Sequence, residues 1–239
     1  MNMLKIILPP IHRAGHPFIG LFFALTATAV GLLAWQDQTF WLLPVAMLGL
    51  MLTAWCTYFF RDPVRFTPQQ PGLFVSPADG VVQAIVDVVP PAELQLGEEP
   101  RQRVSIFLNV FNVHVNRIPM AGTVSHLHYH PGKFLNASLD KASEENERQL
   151  VQLTLANGQK IGVVQIAGLV ARRILCHLKT GQQVRTGERF GLIRFGSRTD
   201  LYLPPGVQAR VGVGQIMVGG ETVIADLNAQ AESLTFSGE

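Results

Sequence analysis

The sequence has few cysteines, few charged residues and little net charge, and each shortage excludes a class of protein. Only two cysteines occur in 239 residues, and Cys56 lies inside an apolar run, so a disulfide-stapled secreted domain is not expected. The net charge is +2 and no block of Lys and Arg occurs, which argues against a nucleic-acid partner. A glycine-rich phosphate loop of the Walker type is also absent. Hydrophobic residues, in contrast, make up 48% of the chain.

Much of this apolar content lies in two runs near the N-terminus, at 18–35 and 40–60. Each run is close to the length of about 20 residues that a helix needs to cross a bilayer core. Trp35, Trp41 and Trp55 lie towards the ends of the runs, where interfacial aromatic residues are expected. We therefore predict that residues 1–60 form a helical hairpin anchored in a membrane. A cleaved signal peptide and a buried hairpin of a soluble protein are the alternatives.

Positive charges flank this hairpin on both sides. Lys5 and Arg13 precede it, Arg61 and Arg65 follow it, and the connecting turn carries only Asp37. By the positive-inside rule, both ends face the cytoplasm. This predicts an anchor in the inner cell membrane, with residues 61–239 forming a domain on the cytoplasmic side.

Beyond residue 72 the pattern changes to short strands divided by glycine, proline and Asn-Gly turns. A strand is predicted over 103–115, and a hairpin across Asn157-Gly158. The segments S-P-A-D-G-V-V at 76–82 and V-G-V-G-Q-I-M-V-G-G-E-T-V-I-A at 211–225 look like parts of biotinyl and lipoyl carrier domains. Those carriers have a lysine at a hairpin tip, whereas the comparable tip here holds Gly196-Ser197. We predict a mainly β class, a lipoyl/biotinyl-like sandwich or barrel, after the hairpin.

Three polar residues stand out among the apolar β segments, namely Asp79, His114 and Ser197. A turn aspartate, a structural histidine and a Gly-Ser turn are the plain interpretations. Alternation in the predicted strand would place His114 on one face with Asn112 and Asn116. Histidine titrates near neutral pH and can therefore transfer protons. The hydroxyl of Ser197 is within reach of the carbonyl of the preceding glycine.

His126, His128 and His130 alternate along a predicted strand and therefore share one face. Such spacing is compatible with a metal site, as in cupin-type barrels. A cupin site also needs a carboxylate a few residues later, whereas Lys133 and neutral residues follow here. We therefore expect no metal ion, and a cupin-like metalloenzyme remains an alternative.

Five segments in register carry a family resemblance. They are S-P-A-D-G at 76–80, N-V-H-V-N-R at 112–117, P-G-K-F at 131–134 with D-K-A-S-E-E-N-E-R at 140–148, I-A-G-L-V-A-R-R-I at 166–174, and R-F-G-S-R-T-D at 194–200 with Y-L-P at 202–204. Together they resemble the short-form, pyruvoyl-dependent phosphatidylserine decarboxylases. The family often has Asp where Asn112 stands, and the three-histidine strand is outside its pattern.

The resemblance implies a processing triad of Asp79, His114 and Ser197, in which His114, oriented by Asp79, deprotonates the serine. The hydroxyl attacks the Gly196 carbonyl, and elimination separates a large chain, 1–196, from a small chain, 197–239. Residue 197 becomes a covalent pyruvoyl group, the electron acceptor for decarboxylating phosphatidylserine to phosphatidylethanolamine and CO2. The chain would thus be a zymogen of a lyase in phospholipid biosynthesis, and at least a dimer.

The substrate phosphate needs a cation, and four basic residues are candidates. Arg198 is the nearest in sequence to the processing bond, and Arg172, Arg173 and Lys133 are further possibilities. A non-enzymatic alternative is a membrane-tethered β-sandwich that serves as a binding or scaffolding module. That alternative predicts a single chain without a reactive carbonyl.

Overall fold

The computed structural model describes residues 8–133, 145–168, 173–194 and 196–229. The chain divides into two compact units, Met1–Val64 and Arg65–Glu239. Each unit has its own internal contacts.

The first unit contains a pair of apolar helices. Helix α1 is His16–Trp35, with Pro17 in its first turn, and α2 is Thr39–Phe59. The two helices pack closely, because the Thr26 side chain occupies the space where a Cβ on Gly49 would lie. Both are long and apolar enough to cross a membrane, and no residue of α1 is buried. The predicted helices are confirmed, and their exposed apolar surface indicates membrane association.

The second unit is mainly β, as predicted. Its strands in chain order are β1 Leu73–Val75, β2 Gly80–Val88, β3 Arg101–Leu108, β4 Val115–Arg117, β5 Gly122–His130, β6 Arg148–Thr154, β7 Lys160–Ala167, β8 Ile174–Cys176, β9 Gln183–Val184, β10 Arg189–Ile193, β11 Ser197–Tyr202, β12 Ile216–Met217 and β13 Val223–Asp226. Among the described residues, eight of these strands form one curled antiparallel sheet in the order β12-β2-β3-β11-β7-β6-β5-β9. Strands β4, β10 and β8 form a smaller sheet, and β1 pairs with β13.

Both faces of the large sheet are covered by apolar side chains. Leu201 of β11 lies in the larger core, together with Val163 of β7. The next residue, Tyr202, lies in a second cluster with Leu94 and Leu96, which come from the segment around a one-turn 3-10 helix at Ala92–Leu94. Consecutive residues of β11 therefore point to different cores, as strand geometry requires.

The strand predicted over 103–115 is wrong in its second half. β3 ends at Leu108, and the next residues form a turn stabilised by side-chain oxygens. The Asn112 Oδ1 accepts from the Asn109 N–H at 2.8 Å, and the Asn109 Oδ1 accepts from the Phe111 N–H at 2.8 Å. Asparagine favours such turns because its side chain competes with the strand for backbone bonds. The predicted common face of Asn112, His114 and Asn116 therefore does not form.

The hairpin predicted at Asn157-Gly158 is confirmed. It joins β6 to β7, which pair from Thr154 opposite Lys160 onwards. Gly158 has a φ of 82°, and the Asn157 Oδ1 accepts from the Gln159 N–H at 3.0 Å.

Candidate active site

The bond between Gly196 and Ser197 lies at the start of β11, in the middle of the large sheet. Ser197 is aligned with Leu108 of β3 on one side and with Ala167 of β7 on the other. Its side chain is fully buried, and its Oγ has no hydrogen-bond partner among the described residues. Leaving a buried hydroxyl unpaired costs about 1–3 kcal/mol. Because the Ser105 Oγ is also buried without a partner among the described residues, it is the position of the Ser197 hydroxyl at the Gly196 carbonyl that points to a chemical role.

Gly196 has a backbone conformation that favours glycine. Its φ is +67°, in the left-handed region, where a residue with a side chain is strained by roughly 1–2 kcal/mol. Apart from its chain neighbours, no heavy atom of the described residues lies within 4 Å of the position that a Cβ would take. The peptide before Ser197 is therefore open on that side.

His114 is buried and brings its ring to the same bond. Its Nε2 accepts from the backbone N–H of Gly196 at 3.4 Å, and its Nδ1 lies 3.0 Å from the carbonyl oxygen of Asn112. A carbonyl can only accept, so the proton is on Nδ1 and the lone pair is on Nε2. The unprotonated nitrogen of His114 therefore contacts Gly196, the residue that precedes Ser197.

Asp79 lies immediately before β2 and is held by two other segments. Its Oδ1 accepts from the Gly219 N–H at 2.7 Å, and its Oδ2 lies 2.6 Å from Nη2 of Arg65. Arg65, a flanking charge of the helical hairpin in the sequence, is thus a partner of a predicted site residue. The group at Nδ1 of His114 is the Asn112 carbonyl, and the orienting role predicted for Asp79 stays a prediction.

Arg198 lies on the face of β11 opposite to Ser197. Its side chain is 1% exposed, and its Nε and Nη2 donate to the two carboxylate oxygens of Asp200 at 2.8 and 2.9 Å. Arg103 approaches the same carboxylate at 3.9 Å. Alternation along the strand explains this placement. The predicted contact of Arg198 with a substrate phosphate gains no support from this geometry.

Two other arginines lie on chain segments that meet shortly before the Gly196-Ser197 bond. Arg173, a predicted phosphate ligand, is exposed, and its carbonyl accepts from the Arg194 N–H at 3.4 Å. Arg194 lies two residues before Gly196 and was missed from the sequence. Burial, and then the neighbouring charge of Arg173, lowers the pKa of the Arg194 guanidinium. The two cationic groups therefore lie near each other and form a positive patch, and Arg194 is two residues from Gly196 in the chain.

The two remaining predicted phosphate ligands differ in position. Arg172 lies outside the described residues. Lys133 is exposed, and its Nζ lies 3.0 Å from Oε2 of Glu145. This ion pair is exposed to solvent and does not test whether Lys133 binds phosphate, so that role stays a prediction.

A buried polar chain connects β11 to its neighbours behind the bond. The Asn116 Nδ2 donates to Thr199 Oγ1 at 3.1 Å, and the Gln165 Nε2 donates to Asn116 Oδ1 at 2.8 Å. All three side chains are buried, and they belong to β4, β7 and β11. Thr199 shares its strand face with Ser197, so this chain fixes the strand that carries the hydroxyl. The sequence signal for it is a set of polar residues inside otherwise apolar strands.

Known proteins agree with the resemblance drawn from the sequence. The sequence profile of the phosphatidylserine decarboxylase family matches residues 52–225. A phosphatidylserine decarboxylase proenzyme of Cereibacter sphaeroides is 56% identical over 229 residues, covering 96% of this chain and 95% of that protein. Proteins of the same name from Paramagnetospirillum magneticum and Ruegeria pomeroyi are 55% and 53% identical, covering 96% and 95% of this chain and 92% and 100% of theirs. The chain belongs to the phosphatidylserine decarboxylase family.

Proposed function

We propose that this chain is a proenzyme that cleaves itself between Gly196 and Ser197 and then decarboxylates phosphatidylserine to phosphatidylethanolamine and CO2. One observation carries the self-cleavage: the buried Oγ of Ser197 has no partner among the described residues, and the N–H of the preceding residue, Gly196, donates to the unprotonated nitrogen of His114. The lipid substrate rests on the names of the relatives.

Self-cleavage begins with His114 as general base. Its Nε2 now accepts from the Gly196 N–H, so a side-chain rotation must first bring Nε2 to Oγ of Ser197. The deprotonated Oγ bonds to the carbonyl carbon of Gly196, and the peptide C–N bond breaks to leave an ester and a free amine. Loss of the Cα proton of residue 197 then expels chain 1–196 as a carboxylate. Water replaces the nitrogen of the resulting dehydroalanine, ammonia leaves, and chain 197–239 begins with a pyruvoyl group.

The surroundings of Ser197 fit such a small carbonyl group. Leu108 and Ala167 flank residue 197 on the neighbouring strands, and Ala167 packs with Ile174 and Ile193 in a buried apolar cluster. These buried apolar surroundings would strengthen electrostatic interactions at residue 197. A pyruvoyl carbonyl there would supply the electron acceptor that decarboxylation needs. We assign to His114 the proton that replaces CO2.

Binding of the lipid head group is assigned to the positive patch of Arg173 and Arg194. Arginine pairs favourably with phosphate through charge-assisted hydrogen bonds. Both residues lie on the chain segments adjoining the processing bond. Arg172 and Lys133 are further candidates, whereas Arg198 is assigned a structural role with Asp200.

The helices α1 and α2 would bring the enzyme to its lipid substrate. We assign them to the inner cell membrane, with Arg65–Glu239 on the cytoplasmic side, because Arg13 precedes them and Arg61 follows them. A homodimer also remains a proposal from the family resemblance.

Intact mass spectrometry of the purified protein tests this proposal. The wild-type chain should appear as two products divided between Gly196 and Ser197, and the small product should lack a free α-amine. Ser197→Ala should remain one inactive chain, while the control Ser125→Ala on β5 should be cleaved normally. Cleavage of Ser197→Ala, or decarboxylation by an intact wild-type chain, would refute the mechanism.

A further inference from the structure

A cluster of metal-ligating side chains lies on the large sheet, outside the processing site. Glu93, His128 and His130 each present one ligand atom, and these three atoms all lie within 4.8 Å of one another. We propose that these residues bind a divalent transition-metal ion of the Zn2+ class. From the sequence no metal ion is expected here, because no carboxylate closely follows the histidines. The carboxylate instead comes from a segment that precedes them.

The geometry of β5 determines which histidines take part. His126, His128 and His130 alternate on the strand, and the rings of His126 and His128 stack with centroids 6.4 Å apart. Only His128 and His130 belong to the cluster with Glu93. His126 therefore shares the strand face but lies outside the ligand set.

Glu93 is held over this face by a well-anchored turn. Gln152 of β6 donates through Nε2 to the carbonyl oxygens of Leu94 and Gln95, both at 2.8 Å. Leu94 is fully buried in the second apolar cluster. Since Gln152 pairs with His126 across the sheet, the turn is fixed beside the histidine row. Binding of a metal ion would then require the side chains to move more than the backbone. A backbone that is already fixed favours a metal site.

The donor types select the metal. Two imidazole nitrogens and one carboxylate oxygen suit Zn2+ and related ions, at metal–ligand distances of about 2.0–2.2 Å. Mg2+ and Ca2+ prefer all-oxygen sites, so they should bind poorly. When an ion binds, the three ligand atoms must move closer together than their present separations of up to 4.8 Å. All three residues are half-buried, so an ion can reach them from solvent.

Arg148 sets the strength of the site. Its Nη2 donates to Oε1 of Glu93 at 2.9 Å, and a carboxylate has a second oxygen that can bind metal. Hydrogen-bonded partners commonly orient ligating carboxylates. The positive charge of Arg148 also repels a cation. Arg148→Gln keeps a hydrogen-bond donor for Glu93 and removes the positive charge, so it should strengthen Zn2+ binding.

The site is independent of the proposed self-cleavage. Across the sheet, His130 is aligned with Arg148, Arg148 with Ile166, and Ile166 with Arg198. Three strand spacings separate His130 from β11, a distance of roughly 14 Å. This row of aligned residues ends at Arg198, whose side chain lies on the face of β11 opposite to Ser197. Ser197→Ala should accordingly bind Zn2+ with the same affinity as the wild type.

Calorimetric titration of the full-length, detergent-purified and untagged protein with Zn2+ tests the proposal. The protein should be Cys56→Ser and Cys176→Ser, so that thiols do not compete. One equivalent should bind, and Co2+ should replace it and show the visible absorption of a bound ion. His128→Ala, His130→Ala and Glu93→Gln should each weaken binding at least tenfold, the lower end of the range of about 10–100-fold for losing even a hydrogen-bonded partner of a ligand.

The matched control is His126→Ala, which should change the affinity less than twofold. Circular dichroism should show that every variant remains folded. The assignment is overturned if no equivalent of Zn2+ binds, or if His126→Ala weakens binding as much as His128→Ala. It is also overturned if Ser197→Ala abolishes binding, because the metal would then belong to the processing site.

Discussion

At the scale of single residues, the position of one proton decides what His114 can do. Because the Asn112 carbonyl lies at Nδ1, the nitrogen facing Gly196 keeps its lone pair. His114→Asn removes this base but keeps a polar side chain, so self-cleavage should slow by at least about 100-fold, the lower limit for losing a general base. The time course of chain separation on denaturing gels measures it. The control His177→Asn, at an exposed position, should process normally, and equally normal processing of His114→Asn would exclude the base.

The ion pair between Asp79 and Arg65 raises a second question about a single residue. If Asp79 supports processing by positioning its loop through Arg65, then Asp79→Asn and Arg65→Gln should slow cleavage to a similar extent. The reason is that either change removes the contact of 2.6 Å. If Asp79 acts on His114 instead, only Asp79→Asn should slow cleavage. We expect the first result, and the cleavage half-times of the two variants and of their double mutant measure the coupling.

At the scale of secondary-structure elements, β11 shows how far the sequence could lead. The glycine, the serine and the alternation of the strand were all visible in the printed residues. The same alternation already separates Arg198 from Ser197, so the structural role of Arg198 was within reach. The turn before His114 was harder to foresee, because apolar residues alternate through it as they would in a strand. Only the local bonds of Asn109 and Asn112 reveal why the strand ends at Leu108.

The pair of Arg198 and Asp200 makes β11 a stability element. Both side chains are 1% exposed, so Asp200→Asn leaves a buried guanidinium without its charged partner. Such a loss costs about 3–5 kcal/mol, whereas replacing both residues by apolar ones is far milder. We therefore expect Asp200→Asn to lower Tm much more than Arg198→Met combined with Asp200→Leu. Scanning calorimetry in the uncleaved Ser197→Ala background measures both, and an equal loss in the double mutant would contradict a role limited to charge pairing.

At the scale of the whole molecule, the two units differ in what their sequences make predictable. The helices follow from length and apolarity alone, since few other structures satisfy such runs. The site depends on residues that are far apart in the chain and meet only through the sheet, such as His114 with Gly196. Composition and residue spacing do not predict which of these distant residues come into contact. That prediction came instead from the resemblance of five sequence motifs to a known family. Glu93 and His128 meet in the same way, without any motif to indicate it.

The helical unit should have one defined orientation in the membrane. Placing an arginine at the centre of a bilayer costs about 2.5–3.5 kcal/mol. Arg13 and Arg61 should therefore stay on one side of the membrane, while the turn at Gln36 lies on the other side. In a chain with Cys56→Ser and Cys176→Ser, an impermeant maleimide should label Gln36→Cys in intact spheroplasts. The control Gln69→Cys, exposed in the β unit, should react only in inverted vesicles. Labelling of Gln69→Cys from outside would place the domain on the other side. Labelling of Gln36→Cys from inside alone would mean that the hairpin enters only one leaflet.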